Sequence, residues 1–490
     1  MDERDLPAPP DARDRPRIGV DEWVAEVEGR REGRTGLDAA VRDAWGRLPL
    51  AVRILLPAAA AAALPFLTSS DFVMQVAVIT GLYVLLALGL NVAVGFSGLL
   101  DLGYVAFYGF GAYGYTMLAS GHFGLHWHAE AAIPVVVVAT AVLGLVLGLP
   151  SRRLFGDYLA IVTLFFLQIF VTLLINADRI NVPFRDAPVN FTRGPNGIST
   201  VDPLNLFGFK LTTLDHYFWF TLVVFVLVIG GLYLLSESRT GRAWKALRED
   251  PLAAELMGMP VNRLKLMAFS LGAAVAGLTG TIFAAQQGAV FPVDFDLVLL
   301  ITLYAMVILG GAGSLAGVVI GAVTINLALE VLRTPEHASW IFYGALALVL
   351  LVTLRWLRAG LVLAGVLAFG LALRGIAELA WPDGTAGQTE GLTRIDRLVD
   401  SWVLLPSDPV EIGKLAFIAL VASVLGLTLL RGRPRMLAYV PVLYLAAFVW
   451  QNVLVLQPSV ARFIMLGAML VALMAARPQG LLGTTRVEIV

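Results

Sequence analysis

The chain has no cysteine among its 490 residues, which excludes disulfides and cysteine-ligated metal or redox centres. Charge is scarce: 14% of residues are Asp, Glu, Lys or Arg, and they sum to −1. A balance so close to neutral gives no electrostatic footprint for nucleic acid. No glycine-rich loop ends in Gly-Lys-Ser/Thr, so the usual signal for an ATP site is missing. No nucleophile is paired with a base, and the chain is not expected to be an enzyme. Five histidines are present without metal-ligand spacing. His122, His126 and His128 share one short loop, which by itself does not make a metal site. The first residues also lack the apolar core of a cleaved signal peptide.

What the chain does have is apolar residues. They make up 58% of the total, and the mean hydropathy is +0.80. No water-soluble core hides that much surface. In lipid only helices and closed barrels satisfy their own backbone, and the runs here are too continuously apolar for alternating barrel strands. The expected fold class is all-α, a polytopic helical membrane protein in a lipid bilayer. Apolar runs occur near 52–67, 72–94, 103–120, 132–149, 157–176, 217–235, 264–286, 297–310, 315–332, 340–355, 359–377, 412–430, 437–453 and 461–476. Several fall short of the roughly 20 residues of a full span, as broken or re-entrant helices do. Residues 1–50 are polar. Within them Leu37, Val41, Ala44, Trp45 and Leu48 share one helical face, which suggests a helix lying on the membrane surface. With the N-terminus inside, alternation puts five basic clusters on the cytoplasmic side: Arg152-Arg153, the 236–263 stretch, Arg355/Arg358, Arg431 to Arg435, and Arg477. It puts loops 177–216 and 378–411 outside.

One charged island interrupts this pattern. Ser236–Lys265 carries six basic and four acidic residues between two long apolar runs. Asp250-Pro251 fits a helix start, because Asp caps well and Pro suits the first turn. Gly258 and Pro260 fit its end. A short helix here would show Leu252, Leu256 and Met259 to the cytoplasm. The residues alone fit either a partner-binding lever or an ordinary basic loop.

Glycines mark two further places. Segment 91–115 holds six (95, 98, 103, 109, 111 and 114), together with Asn91, Ser97 and Asp101. It reads either as a discontinuous helix along a solute path, with Asn91, Ser97 and Tyr104 near the lumen, or as a helix pair packed on glycine with Asp101 capping the second helix. Gly313, Gly317 and Gly321, four residues apart, favour close helix packing, and Gly272, Gly277 and Gly280 read the same way. Few polar residues lie within the runs: Gln168, Gln286, Gln287, Asp294, Asp296 and Asn326. A proton-coupled carrier usually needs intramembrane ionisable groups, so their scarcity weighs against a secondary carrier acting alone.

GLNVAVGFSGLLDLGYVAFYGFGAY, GDYLAIVTL (156–164), RGPNGI (193–198), the island, ILGGAGSLAGVVIGA (308–322) and RPQGLLG (477–483) occur in the order found in one family. The chain resembles the M-type permease of bacterial ABC importers for branched-chain amino acids. The resemblance implies a second, H-type permease, two cytoplasmic ATPase subunits carrying the ATP, a periplasmic solute-binding protein, and the inner membrane with both termini cytoplasmic. It implies no cofactor on this chain and no nucleic-acid partner. By the same resemblance Asp250, Ala253, Ala254, Glu255 and Gly258 couple to the ATPase. Because the cargo is zwitterionic with an apolar side chain, Asn91, Ser97, Tyr104 and Gln168 become candidates for the path. Relatives that carry urea or short amides leave the substrate open, and a lone secondary carrier or a membrane scaffold are the rival readings. The expected organisation is a polar extension 1–50, a permease core 51–335 with the coupling loop 236–265, a block 336–460 with one last core helix and extra membrane helices, and a terminal helix and tail 461–490. The resemblance places RPQGLLG about one helix after the glycine block. Here it comes over a hundred residues later, so an insertion of about four segments is expected.

Overall fold

The structure is a computed structural model. It describes residues 57–59, 61–68, 70–151, 157–180, 189–353, 356–380, 382, 398–406, 409–429, 433–454, 457–476 and 480–482. The expected surface helix at 37–48 and most of loop 378–411 lie outside the described residues. The chain divides into two units. In the first, Met1–Leu67, the described residues are helical and end in the turn Leu64–Leu67. The second, Thr68–Val490, contains everything that follows.

It is a set of apolar helices: α1 (Asp71–Asn91), α2 (Tyr104–Leu118), α3 (Ala129–Ser151), α4 (Asp157–Asn176), α5 (Leu214–Glu237), then two short amphiphilic helices α6 (Arg239–Glu249) and α7 (Pro251–Leu256). The long helices resume with α8 (Val261–Gln287), α9 (Leu297–Gly310), α10 (Leu315–Val331), α11 (Pro335–Thr353), α12 (Trp356–Ala380), α13 (Pro409–Leu429), α14 (Arg433–Val449) and α15 (Pro458–Ala476). Among the described residues, seven helices are long and apolar enough to cross a membrane, and others are apolar but shorter. The described strands are two-residue pairs: β1 (Ile198–Ser199) with β4 (Ala289–Val290), and β2 (Asn205–Leu206) with β3 (Phe209–Lys210). The chain is a multi-pass helical membrane protein, as its composition requires.

Helix α8 lies at the centre and packs on α1, α2 and α3. Glycine makes this possible. A Cβ on Gly280 would overlap the backbone of Tyr108, and one on Gly111 would overlap that of Gly277. Helices α9 and α10 cross equally closely: Gly310 and Gly317 each face the other's carbonyl, and Gly321 faces that of Met306. Removing side chains from a helix crossing lets two backbones meet, and in lipid this packing replaces the hydrophobic drive. Gly313 differs from its neighbours. It sits in the α9–α10 turn at φ +90°, a conformation that favours glycine.

A second apolar cluster forms beyond residue 332. Val362, Val366, Val403, Tyr444, Phe448 and Trp450 are buried in it, and Phe342 stacks on Trp450 with ring centroids 4.1 Å apart. Helix α14 ends in a π-helical turn, Trp450–Leu454. Helix α15 then packs against α9, α10 and α11. The chain beyond it adds two bonds at the end of α9: Leu481 N–H donates to Leu309 O at 2.8 Å and Leu482 N–H to Gly310 O at 3.1 Å. These occupy carbonyls that a helix end leaves orphaned.

Asp294 and Asp296 do not lie inside a span. Asp294 accepts from Phe291 N–H at 3.0 Å, and Asp296 caps α9 by accepting from Leu299 N–H at 2.9 Å. The turn Pro292–Phe295 separates α8 from α9 and puts both carboxylates at a helix end. His126 pairs with Asp202 at 2.6 Å, His128 with Glu130 at 3.4 Å, and His122 meets Asn190 O at 2.8 Å. The three rings thus tie the loops at that end instead of converging on one point.

Candidate functional site

At the opposite end, the island folds as two helices with designed-looking termini. Ser238 caps α6 by accepting from Gly241 N–H at 3.2 Å. Gly241 also packs on the Ser236 carbonyl, where a Cβ would overlap, and this permits the sharp turn out of α5. One face of α6 buries Trp244 and Leu247. The fully buried Trp244 donates from Nε1 to Leu264 O at 2.9 Å, fastening α6 to the first turns of α8. Replacing Trp244 with Phe keeps most of the apolar area but strands an acceptor. We expect about 1–3 kcal/mol of lost stability, read as a lower detergent-solubilised melting temperature.

Asp250 closes the gap to α7. Its Oδ1 accepts from Leu252 N–H at 2.8 Å and Ala253 N–H at 3.0 Å. At the other end Met259 N–H reaches Ala254 O and Gly258 N–H reaches Glu255 O, with Gly258 at φ +76°. This is the glycine-terminated Schellman turn. Between these two stops Ala254 is buried, whereas Leu252, Ala253, Glu255, Leu256, Met257 and Gly258 are exposed. Leu256 is 87% exposed and Met257 83%. Met259, expected at the surface, is half-buried, because the turn at Gly258 reverses the chain and brings Met257 outward instead. Replacing Asp250 with Ala is expected to cost about 1 kcal/mol of local stability. Amide hydrogen exchange at residues 252 and 253 is the measurement, and about fivefold faster exchange is the expected result.

The island is also bonded inward. Arg248 donates from Nη1 to Gly95 O at 2.6 Å and to Ala312 O at 3.4 Å. Gly95 belongs to the π-helical turn Val92–Phe96 that ends α1, and Ala312 to the α9–α10 turn. These two places are also joined directly, since Gly313 N–H donates to Asn91 Oδ1 at 2.8 Å. A Cβ on Gly95 would overlap Asn91 Oδ1, and one on Gly313 would overlap Arg248 Nη1. The glycines clear room for this knot of carbonyls, amide and guanidinium.

Of the four residues considered for a solute path, three lie near this break in the helix. Asn91 and Ser97 are buried at either end of the π turn, with Ser97 Oγ–H donating to Ala93 O at 2.7 Å. Tyr104 opens α2, fully buried, with its hydroxyl against Gly89. Among the described residues neither Asn91 Nδ2 nor the Tyr104 hydroxyl has a hydrogen-bond partner. Asp101 turns back on the loop and accepts from Gly103 N–H at 2.9 Å. Gln168 is not with them. It lies on the exposed face of α4 with Thr172 and Asn176. Arg248 and Gly313 were not singled out by the sequence as a pair. Nothing in the local pattern separates Arg248 from the five other basic residues of the island.

The family model that matches residues 72–354 is described as "Branched-chain amino acid transport system / permease component". The chain is 37% identical over 324 residues to the high-affinity branched-chain amino acid transport system permease protein LivM of Escherichia coli K12, covering 61% of this chain and 72% of LivM. It is 27% identical over 286 residues to LivH of Salmonella typhimurium, the corresponding shares being 55% and 89%. Similarity extends at 27% to the fructose import permease protein FrcC of Rhizobium meliloti, over 32% of this chain and 46% of that protein. No solved structure matches. With the matched model covering the helices that surround α8 and the whole of the α6–α7 island, the chain belongs to the family of branched-chain amino acid transport system permease components, as a membrane-spanning subunit and not an enzyme.

Proposed function

We propose that this permease subunit passes a branched-chain or other small amino acid inward across the bacterial inner membrane, driven by ATP hydrolysed on two separate cytoplasmic subunits. A second permease of the LivH kind completes the membrane part, and a periplasmic binding protein delivers the solute. The observation that carries this reading is α7. Two fixed ends hold a single amphiphilic turn and a half, and its apolar residues Leu252, Leu256 and Met257 point away from the chain's own body. A soluble protein that needs no partner covers such residues, and a contact surface leaves them open. Asp250 and Gly258 set the ends of the lever and Ala254 seats it. Ala253 and Glu255 share the open face with the apolar residues.

The excess of basic residues in the same set of loops supports a cytoplasmic side for α6, α7 and both termini. Asn91, Ser97 and Tyr104, buried at a helix break, suit a path for a solute with one polar end, since irregular backbone at membrane depth is tolerated where protein buries it or a cavity is lined. The exposed Gln168 suits a surface that another subunit covers. Helix α11 is the last helix of the core, α12–α14 form the inserted block, and α15 with the 480–482 tail returns to the core. Proteoliposomes holding the whole assembly provide the test. Leucine uptake is expected to require internal-face ATP and to survive a protonophore. Uptake that collapses with the proton gradient while ATP is plentiful would mean a secondary carrier.

A further inference from the structure

We infer that Arg248 is the positioning residue that carries movement of the α6–α7 lever into the membrane core. This rests on the reading that the lever faces an ATPase. The geometry is the basis. Arg248 is in the last turn of α6, two residues before Asp250, which ends α6 and caps α7. Its Nη1 meets two carbonyls, one in the π turn of α1 and one in the α9–α10 turn, 153 and 64 residues away in sequence. Those turns stand at the ends of three core helices, α1, α9 and α10. A π turn closes with a wider ring than an α-helix and often marks a place where function bends a helix. The α9–α10 turn contains two glycines at positive φ, Gly311 and Gly313. The backbone of Arg248 also lies against Gly98, the glycine at φ +71° that follows the π turn.

A guanidinium suits this work. It stays charged at every physiological pH, and its bonds to carbonyls are charge-assisted and short. Trp244, one turn earlier, holds α6 to α8, so α6 pivots about a fixed point instead of sliding. Displacement of α7 then moves Arg248, and with it both turns at once. Asn91 is bonded to Gly313 across the same gap, so the residue at the break in α1 shifts with the α9–α10 turn. In this arrangement Arg248 acts through the backbone it holds.

The test uses the full assembly in proteoliposomes with R248A, R248K, G313A and R248A/G313A. R248A is expected to assemble with the ATPase subunits and to hydrolyse ATP, while uptake and the stimulation of hydrolysis by solute-loaded binding protein fall about tenfold or more, the loss of charge-assisted bonds being the cause. R248K is expected to recover part of both, since one nitrogen makes both bonds and an ammonium carries three protons. G313A places a methyl group on the guanidinium and also strains the turn at φ +90°, so it is expected to lose at least as much coupling as R248A. Because the two changes break the same link, the double variant is expected to be within about twofold of the worse single one. Wild-type coupling in R248A overturns the proposal, as does loss of assembly in R248A and R248K alike, or full multiplication of the two single effects. A wild-type assembly in which α7 contacts no ATPase defeats the underlying reading instead, and that result is separate from all of these.

Discussion

Replacing Leu252 and Leu256 together with aspartate is expected to abolish ATP-driven uptake while leaving the chain inserted and folded. Both side chains are largely exposed and touch little of their own chain, so their loss costs the fold almost nothing. In a contact with a soluble partner the same two residues are anchors. Burying a leucine is worth about 1.5–3 kcal/mol, and a carboxylate in its place adds an unpaired buried charge. The sum weakens the contact by about two to four orders of magnitude, taking about 1.4 kcal/mol per tenfold. Co-purification of the ATPase subunits and leucine uptake are both expected to vanish, with unchanged melting temperature for the isolated chain. A variant that still transports at half the normal rate contradicts the lever.

The second large effect is structural. Replacing Gly317 with Leu is expected to prevent the chain from accumulating. Even the first carbon of a side chain would overlap the Gly310 carbonyl, and Gly310 packs on Gly317 in return. The two nearest atoms are backbone atoms of Gly310, so α9 and α10 must separate. Overpacking costs typically about 1–3 kcal/mol and more where backbone must move. Parting these helices also loosens the docking of α15 and the bonds from Leu481 and Leu482 to the end of α9. Expression at a small fraction of normal, with the residue rapidly proteolysed, is the outcome to look for. Normal accumulation and melting would show that the close crossing is not needed.

These cases show which parts of the molecule can be read from the residues. Helical spans are legible because a bilayer forces them: an apolar run near 20 residues has few other fates. The ends of α7 are legible because caps are local chemistry, with Asp250 accepting from the next turn and Gly258 adopting a left-handed φ. The close crossing at Gly317 and Gly321 follows from small-residue spacing in the same way, whereas Gly313, on the same spacing, lies in the α9–α10 turn.

What escapes is whatever depends on helix phase or on distant chain. Gln168 looks like Asn91 in composition, yet the rotation of α4 leaves it on the exposed face. Met259, expected at the surface, is half-buried, and Met257 is exposed instead, because the chain turns at Gly258. Asp294 and Asp296 fall within an apolar stretch in the sequence but lie in a short turn, where Asp294 accepts from Phe291 N–H and Asp296 caps α9. Arg248 is the sharpest example. Its partners are carbonyls, which every residue supplies, so no pattern of side chains announces the contact. Membership of the family, in contrast, is legible, since its motifs are short runs of residues in a fixed order.

The absence of cysteine makes one measurement direct. A single cysteine at position 256, in the otherwise cysteine-free chain, is treated with a short thiol-to-amine crosslinker in the intact assembly. The account requires this position to join an ATPase subunit in high yield, with a yield that changes between ATP-bound and nucleotide-free states, while a cysteine at the half-buried position 259 joins little. If position 256 crosslinks to no ATPase in either state and reacts freely with a water-soluble thiol reagent in both, the lever is not where hydrolysis enters this chain.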